Sequence, residues 1–249
     1  FKKKNSYKKN NITSTKILID LVKRNNVKYF IFSSSASVYG KQKKFPIKEN
    51  AKTSPISYYG KTKLICENII KKNCSNNSLK AISLRYFNVI GSNFKNKLGE
   101  IHNPPIHLIP IFVKNILKDK PVKLRLNFNT KDKSGVRDYI DVGDIVKAHY
   151  FSLQKLKKTK KPFYIINLGS KTFYSAKQIL ELIRKFLEIK KVRIVYSVKK
   201  KGEPDKLLAS SQLASSFLKW KPKIKISESL KNMILWEKYK IKQKKLFYK

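Results

Sequence analysis

The sequence predicts an α/β fold in which a parallel sheet is covered by helices. Two observations predict it. "VKYFIFSSS", "LKAISLRYF" and "FYIINLGS" each contain a short, continuous apolar run, as strands buried on both faces do. The first two runs are separated by a helical stretch, from Tyr59 to about Lys72, which gives the strand–helix–strand order of a parallel sheet.

The elements follow in order. From Asn10 to Arg24, Ile12, Leu18, Ile19, Leu21 and Val22 recur at helical spacing, and Asn25-Asn26 ends that helix. A buried strand, Tyr29 to Ser33, runs into a serine-rich loop, and the helix after "TSPIS" leads to the strand around "AISLRY". Ligands of such sheets sit at the carboxyl ends of the strands, where Ser33 to Ser35 and Phe87-Asn88 fall. Beyond Asn88 comes a long Gly-, Asn- and Pro-containing loop, a helix from Ile109 to Leu117, and short strands up to "SGVRDYIDVGDI". "FYIINLGS" is a further strand, Ala176 to Leu187 an amphipathic helix, "VRIVYS" a strand, and "SLKNMILWEKY" a helix. The run "KLKKTKKP" reads as a solvated loop.

Composition narrows the function. The 249 residues are 41% hydrophobic, with 14 Phe and 13 Tyr, enough for a sizeable core. The net charge of +43 would suit nucleic acid, but the lysines are spread along the chain with no zinc-finger spacing, RNP-like strand or arginine-rich arm. No specific nucleic-acid partner is expected. No run of about 20 apolar residues is present, so no membrane span is expected. Cys66 and Cys74 fall roughly 12 Å apart along one helix, too far for a disulfide, which implies free thiols in a reducing compartment such as the cytoplasm. His102, His107 and His149 are scattered and predict no metal site.

The stretch "YYGKTK" concentrates chemistry. Helical spacing pairs Tyr59 with Lys63 and Tyr58 with Thr62. An ammonium beside a phenol favours the phenolate and would lower the Tyr59 pKa toward that of a working base. Taken alone, such a pair also arises by chance on a Lys-rich helix.

The series "NNITST", "FIFSSSASVYG", "YYGKTKLICE", "LRYFNVIG", "HLIP" and "GVRDYIDVGDI" closely resembles the UDP-glucose 4-epimerases of the extended short-chain dehydrogenase/reductase superfamily, from about Tyr7 to the carboxyl terminus. The resemblance implies a doubly wound, Rossmann-type domain that is incomplete at its amino terminus, and a smaller mixed α/β substrate domain. Residues 1–95, with 138–170 returning, would form the first and 96–249 mainly the second. It implies NAD as cofactor, a UDP-sugar substrate, a homodimer, and interconversion of UDP-glucose and UDP-galactose by oxidation and re-reduction at the sugar C4. Ser35, Tyr59 and Lys63 would be catalytic and would also meet NAD, together with Asn10, Tyr86 and Phe87. Asn88, His107, Leu108, Arg137, Lys200 and Glu203 would bind substrate, Arg137 as a bidentate partner for the diphosphate. Tyr58 stands where the family has Pro and would lie at the pocket rim. Without the resemblance, Tyr86 and Phe87 would read as core aromatics and Arg137 as a surface partner of Asp138.

Departures from the pattern bear on the nucleotide and the sugar. The family's Arg-x-Gly-Asp is Lys200-Lys201-Gly202-Glu203, its Phe-Gly-x-Asp-Tyr is Leu124-Arg125-Leu126-Asn127-Phe128, and a histidine is replaced by Asp141. Leu207, at the size gate of the sugar pocket, is neither the large Tyr nor the small Cys or Ser. A 4-epimerase of UDP-N-acetylhexosamines or UDP-pentoses is therefore an alternative. A 4,6-dehydratase is disfavoured, because Ser35-Ala36-Ser37 carries no carboxylate. The family opens with a strand, a Gly-x-x-Gly-x-x-Gly turn and a helix that receives the NAD diphosphate, and no such turn occurs in these 249 residues. The chain alone is expected not to hold NAD tightly, and an inactive nucleotide-sugar-binding remnant is the alternative of another class.

Overall fold

The computed structural model describes residues 2–75, 79–102 and 104–243. Helix α1 (Lys2–Tyr7) passes through a π-helical turn (Lys8–Thr13) into α2 (Ser14–Arg24). Then come β1 (Tyr29–Ser35), α3 (Tyr58–Ser75), β2 (Lys80–Tyr86), β3 (Asn88–Ile90), α4 (Leu108–Leu117) and β4 (Val122–Leu126). They are followed by β5 (Val136–Asp141), α5 (Val142–Lys158), β6 (Phe163–Leu168), β7 (Phe173–Ser175) and α6 (Ala176–Phe186). The chain ends with β8 (Ile194–Val198), β9 (Lys206–Leu207), α7 (Gln212–Phe217) and α8 (Ile226–Lys242). The stretch expected to be a solvated loop is half helix, because α5 runs to Lys158, where its lysines suit the negative end of a helix.

The chain forms two compact units. The first comprises Phe1–Phe87, Ile145–Lys171 and Leu207–Lys221, and the second Asn88–Asp144, Thr172–Lys206 and Pro222–Lys249. The expected limits, 1–95 with 138–170 returning, therefore shift. Asn88 leaves the first unit because β3 pairs in parallel with β5, Asn88 opposite Tyr139. Residues 207–221 return to it because Ile47 and Ala209 form a bridge, with Ile47 N donating to Leu208 O at 2.8 Å.

In the first unit β1, β2 and β6 form a parallel sheet in that order, with β2 central. The register sets Tyr29 opposite Lys80 and Ala81 opposite Phe163. Ile19 from α2 and Ile70 and Cys74 from α3 close one face against Ala81 and Phe163. Thr15 Oγ1 donates to Cys66 Sγ at 3.3 Å, so helix packing holds that thiol. Both cysteines are free and buried, and burial pushes the Cys74 thiol up to about 11, which makes it a poor nucleophile.

A charged cluster is buried in this unit. Glu67 on α3 receives Arg85 Nε at 2.9 Å and Nη2 at 2.6 Å from β2, and Ser34 Oγ at 2.6 Å from β1. Both side chains of the ion pair are 2% exposed. The Arg85 guanidinium also lies 4.7 Å from the Tyr39 ring centroid.

In the second unit β5 pairs in parallel with β3 and antiparallel with β7, and β4 pairs in parallel with β8. This is the mixed α/β arrangement expected of the smaller domain. Phe112 and Val113 of α4, Ile179 and Ile183 of α6, and Leu230 of α8 pack around Leu124 and Tyr139. A capping box starts α6: Ser175 accepts from Gln178 N, and the Gln178 side chain accepts from Ser175 N. Among the described residues no helix is long and apolar enough to cross a membrane.

Candidate active site

Local chemistry places the two tyrosines in the first turn of α3. Ser57 Oγ accepts from Gly60 N at 3.0 Å, an N-cap that fixes where the helix begins. Gly60 is required there, since a Cβ at this position would overlap the Ser37 carbonyl. The helix thus lies directly against the loop that carries Ser35 and Ser37. The Ser35 side chain lies near enough to Tyr59 to lower its pKa, and the Tyr59 ring lies 5.6 Å from that of Tyr7. Tyr58 is half-buried, with Lys4 Nζ 6.0 Å from its ring centroid.

Lys63 lies one turn on from Tyr59, as the spacing requires, but its ammonium does not sit at the phenol oxygen. It donates to the Ser33 carbonyl at 2.9 Å and lies 4.9 Å from the Phe32 ring centroid and 5.7 Å from that of Tyr59. The expected lowering of the Tyr59 pKa is therefore corrected. Burial pushes the phenol above its ordinary value, the nearby Ser35 side chain pulls it down, and Tyr7 pushes it up. Burial also lowers the Lys63 ammonium, against Cys66 and Glu67, which raise it.

Tyr86 stands at the carboxyl end of β2. Its hydroxyl lies 2.8 Å from Ser33 Oγ and 2.8 Å from His149 Nε2 on α5, and burial pushes it up to about 12. The Nδ1–H of His149 donates to the Ile145 carbonyl at 2.9 Å, which orients the ring. Ser33 thus joins Lys63 through its carbonyl to Tyr86 through its hydroxyl. The sequence places Ser33 among the strand-end serines and shows His149 only as one of three histidines; their meeting at Tyr86 needs the folded chain.

Other expected cofactor residues are placed differently. Asn10 is exposed and donates to Ser6 Oγ at 3.3 Å on its own helical run, whereas Asn11 donates to Thr62 Oγ1 on α3 at 2.8 Å. Phe87 is 7% exposed and packs with Val38, Tyr39 and Ala209, as a core aromatic does. Leu207, expected at the sugar-size gate, packs against this same cluster.

The expected substrate residues Asn88, His107, Leu108, Arg137, Lys200 and Glu203 belong to the second unit. Asn88 Nδ2 donates to the Asp138 carbonyl at 3.1 Å. Arg137 Nη1 donates to the carbonyls of Val136 at 2.9 Å and Asp205 at 3.2 Å, and Nη2 lies 3.5 Å from Glu203 Oε1. Glu203 is shared with Arg125, also at 3.5 Å. Lys200 is exposed, and its backbone N–H donates to Glu203 Oε2 at 3.3 Å. Phe128, in the stretch that departs from the uracil motif, is buried, with the Arg137 guanidinium 5.9 Å and Lys199 Nζ 5.4 Å from its ring centroid. Asp141 is used within the fold, accepting from Gly143 N at 2.7 Å and Ser229 Oγ at 2.6 Å. Leu108 opens α4 and packs on the core of this unit. His107, its N-cap residue, points to Glu100, as does His102, each ring Nδ1 being 2.9 Å from a different carboxylate oxygen. The reading of His102 and His107 as scattered is corrected, because both rings meet the one carboxylate of Glu100.

The family profile described as NAD dependent epimerase/dehydratase matches residues 1–169. The chain belongs to that family. The UDP-glucose 4-epimerase of Lactobacillus helveticus is 38% identical over 226 residues, covering 89% of this chain and 67% of its own length. That of Streptococcus mutans is 38% identical over 223 residues, covering 89% and 66%. The chain thus spans about two thirds of the length of the curated relatives it matches. A solved UDP-glucose 4-epimerase from Stenotrophomonas maltophila, with bound NAD and formylated UDP-arabinopyranose, superposes with a TM-score of 0.90 at 28% identity, over 97% of this chain and 73% of that one. One from Bifidobacterium longum, in complex with NAD+ and UDP, gives 0.86 at 30% identity, over 94% and 70%.

NAD is the cofactor of this family, and the residues present fit part of it. Ser35, Tyr59, Lys63 and Tyr86 gather hydroxyls and one ammonium at the carboxyl end of a parallel sheet, the donor set that a nicotinamide ribose requires. For the diphosphate, the 249 residues contain no Gly-x-x-Gly-x-x-Gly turn.

The buried phenols give this unit an alkaline limit. The folded pKa values of Tyr39 and Tyr59 are raised and that of Tyr86 is about 12, all above the unfolded value near 10. The fold therefore favours the protonated phenols. That contribution is fully present below pH 10 and is lost as pH rises toward 12. The urea midpoint is expected to fall over this interval, with late tyrosinate absorbance appearing only as the chain unfolds. Titration of all 13 tyrosines at an ordinary pKa in a folded chain would contradict this.

Proposed function

We propose that the protein interconverts UDP-glucose and UDP-galactose by oxidation and re-reduction at C4 of the sugar. The observation that supports this reading most is the placing of Tyr59 and Lys63 one turn apart on α3, with Ser35 near enough at the strand end to lower the Tyr59 pKa. Bound NAD supplies the chemistry of accepting and returning a hydride at C4. Ser35 holds the Tyr59 phenol, and Tyr59 takes the proton of the 4-hydroxyl and gives it back. Because burial raises this phenol, the chain's own groups leave it protonated at neutral pH, and its work as a base would draw on the positive charge that oxidised NAD brings. Tyr86 and His149 fix Ser33, whose carbonyl holds Lys63.

Arg137 serves the diphosphate. Its guanidinium is drawn down by burial and is balanced by Glu203, a carboxylate that a phosphate would displace. Lys200, on the same loop as Glu203, adds a second cation, and Asn88, His107 and Leu108 line the nucleotide-sugar side. Asn10, Tyr86 and Phe87 are assigned to the cofactor on the family resemblance, Tyr86 being the one whose hydroxyl stands at the strand end. The chain works in the cytoplasm, which the two free thiols support. A homodimer would cover the exposed Ile17, Leu18 and Leu21 of α2 and Ile65 of α3, which sedimentation equilibrium checks.

The test joins this chain to the part of the Lactobacillus helveticus relative that it does not match and measures bound NAD and UDP-glucose formed from UDP-galactose. Turnover with bound NAD is the expected result. A hybrid that retains NAD and forms no UDP-glucose would overturn the proposal.

A further inference from the structure

We propose that Glu100, His102 and His107 form a binding site for a divalent transition metal, zinc above all, in the second unit. One ligand atom from each, two imidazole nitrogens and a carboxylate oxygen, already lie within 4.8 Å of one another. The rings are nearly perpendicular, at 86°, with centroids 5.7 Å apart, so they converge on the carboxylate from different directions without stacking. Imidazole and carboxylate at this count form the three-ligand set of an open zinc site, with a fourth position left for water or an incoming oxygen ligand. Zinc bonds of about 2.0–2.2 Å to nitrogen and oxygen require the three atoms to close up by roughly 1–2 Å, within reach of side-chain rotation at two exposed histidines.

Glu100 and His107 are each anchored through their own carbonyls. The Glu100 carbonyl accepts from Trp236 Nε1 and from Lys240 Nζ, each at 2.9 Å, both from α8. Gly99 fits only because it lacks a side chain, since a Cβ there would strike the Trp236 ring. At the other end His107 is the N-cap residue of α4, its carbonyl accepting from Ile111 N at 3.1 Å. Neither anchor uses the Glu100 carboxylate or an imidazole, so the three ligand groups are free to exchange their mutual hydrogen bonds for a cation. Each neutral imidazole would offer a lone pair from one ring nitrogen and keep its proton on the other.

The chain's net charge of +43 opposes any cation. At physiological salt that field is screened beyond about 8 Å. Nitrogen ligands favour zinc over magnesium, which takes oxygen ligands and water. A bound metal would tie Glu100 to His107 across the loop and so brace the start of α4, where Leu108 meets the core.

Equilibrium dialysis of the tag-free 249-residue chain against zinc chloride, followed by elemental analysis, tests the proposal, with magnesium chloride as the oxygen-ligand probe. One zinc per chain and no magnesium are expected. His102→Ala and His107→Ala should each weaken zinc binding at least about tenfold. Glu100→Gln, which leaves the anchoring carbonyl in place, should do the same. Circular dichroism should show all three variants folded. Absence of zinc from the unaltered chain would overturn the proposal. So would equal zinc retention by the doubly substituted His102→Ala, His107→Ala chain, which would point to Cys66 or Cys74 instead.

Discussion

Tyr59→Phe is expected to lower turnover of UDP-galactose by roughly 10²–10⁴-fold, the range that a positioned proton-transfer group supplies. Tyr58→Phe should leave most of the activity. The two residues are neighbours in the first turn of α3, and the substitutions remove the same atom. They differ in surroundings. Tyr59 has Ser35 beside it and Lys63 one turn on, whereas Tyr58 has Lys4 over its ring. The assay uses the NAD-loaded hybrid described above and reads kcat and KM separately. The loss should fall on kcat, because Tyr59 acts on the reacting hydroxyl, with KM little changed. Equal losses from both substitutions, in folded and NAD-loaded protein, would remove the assignment.

Glu67→Gln is expected to destabilise the fold by about 3–5 kcal/mol, because it leaves the Arg85 guanidinium buried without its charge partner. Arg85 keeps a 3.4 Å bond to the Glu49 carbonyl, its contact with Tyr39 and the weaker pull of the Glu49 carboxylate, none of which replaces the two-point pair with Glu67. Replacing both members of the pair by apolar residues, Glu67→Leu with Arg85→Met, should cost less than either single change, since no lone charge then remains in the interior. Urea unfolding of the three variants measures this. A Glu67→Gln midpoint within error of the unaltered chain would mean that water reaches the pair. The cluster ties α3 to β1 and β2 directly beneath the strand ends, so its loss would also disturb the register of Tyr59 against Ser35.

What the sequence made legible followed from local rules. The apolar runs at Tyr29 to Ser33 and Leu79 to Tyr86 became paired parallel strands, and the i, i+4 rule set Tyr59 and Lys63 on one helix face. The remainder depended on geometry that local rules do not carry. The π-helical turn at Lys8–Thr13 shifts which asparagine faces α3, so Asn11 meets Thr62 and Asn10 does not. Lys63 chose the Ser33 carbonyl, a backbone atom 30 positions away that no side-chain motif announces. The return of residues 207–221 rests on long-range pairings, the bridge between Ile47 and Ala209 and the bonds between Ser211 and Gly169, that no local pattern announces. His102 and His107 meet across an aperiodic loop, where spacing predicts nothing about direction. Glu203 could be read as a replacement for Asp, but its pairing with both Arg125 and Arg137 required the folded loop.

The central claim is that C4 is oxidised and reduced by a hydride held within the site while Tyr59 handles only the hydroxyl proton. UDP-galactose carrying deuterium at C4 tests it most directly, with the NAD-loaded hybrid in ordinary water and the product examined by NMR. The account predicts UDP-glucose that retains the deuterium at C4, because the label travels as hydride and never meets solvent. UDP-glucose with hydrogen at C4, formed at the same rate, would mean that C4 loses a proton to water and would contradict the account.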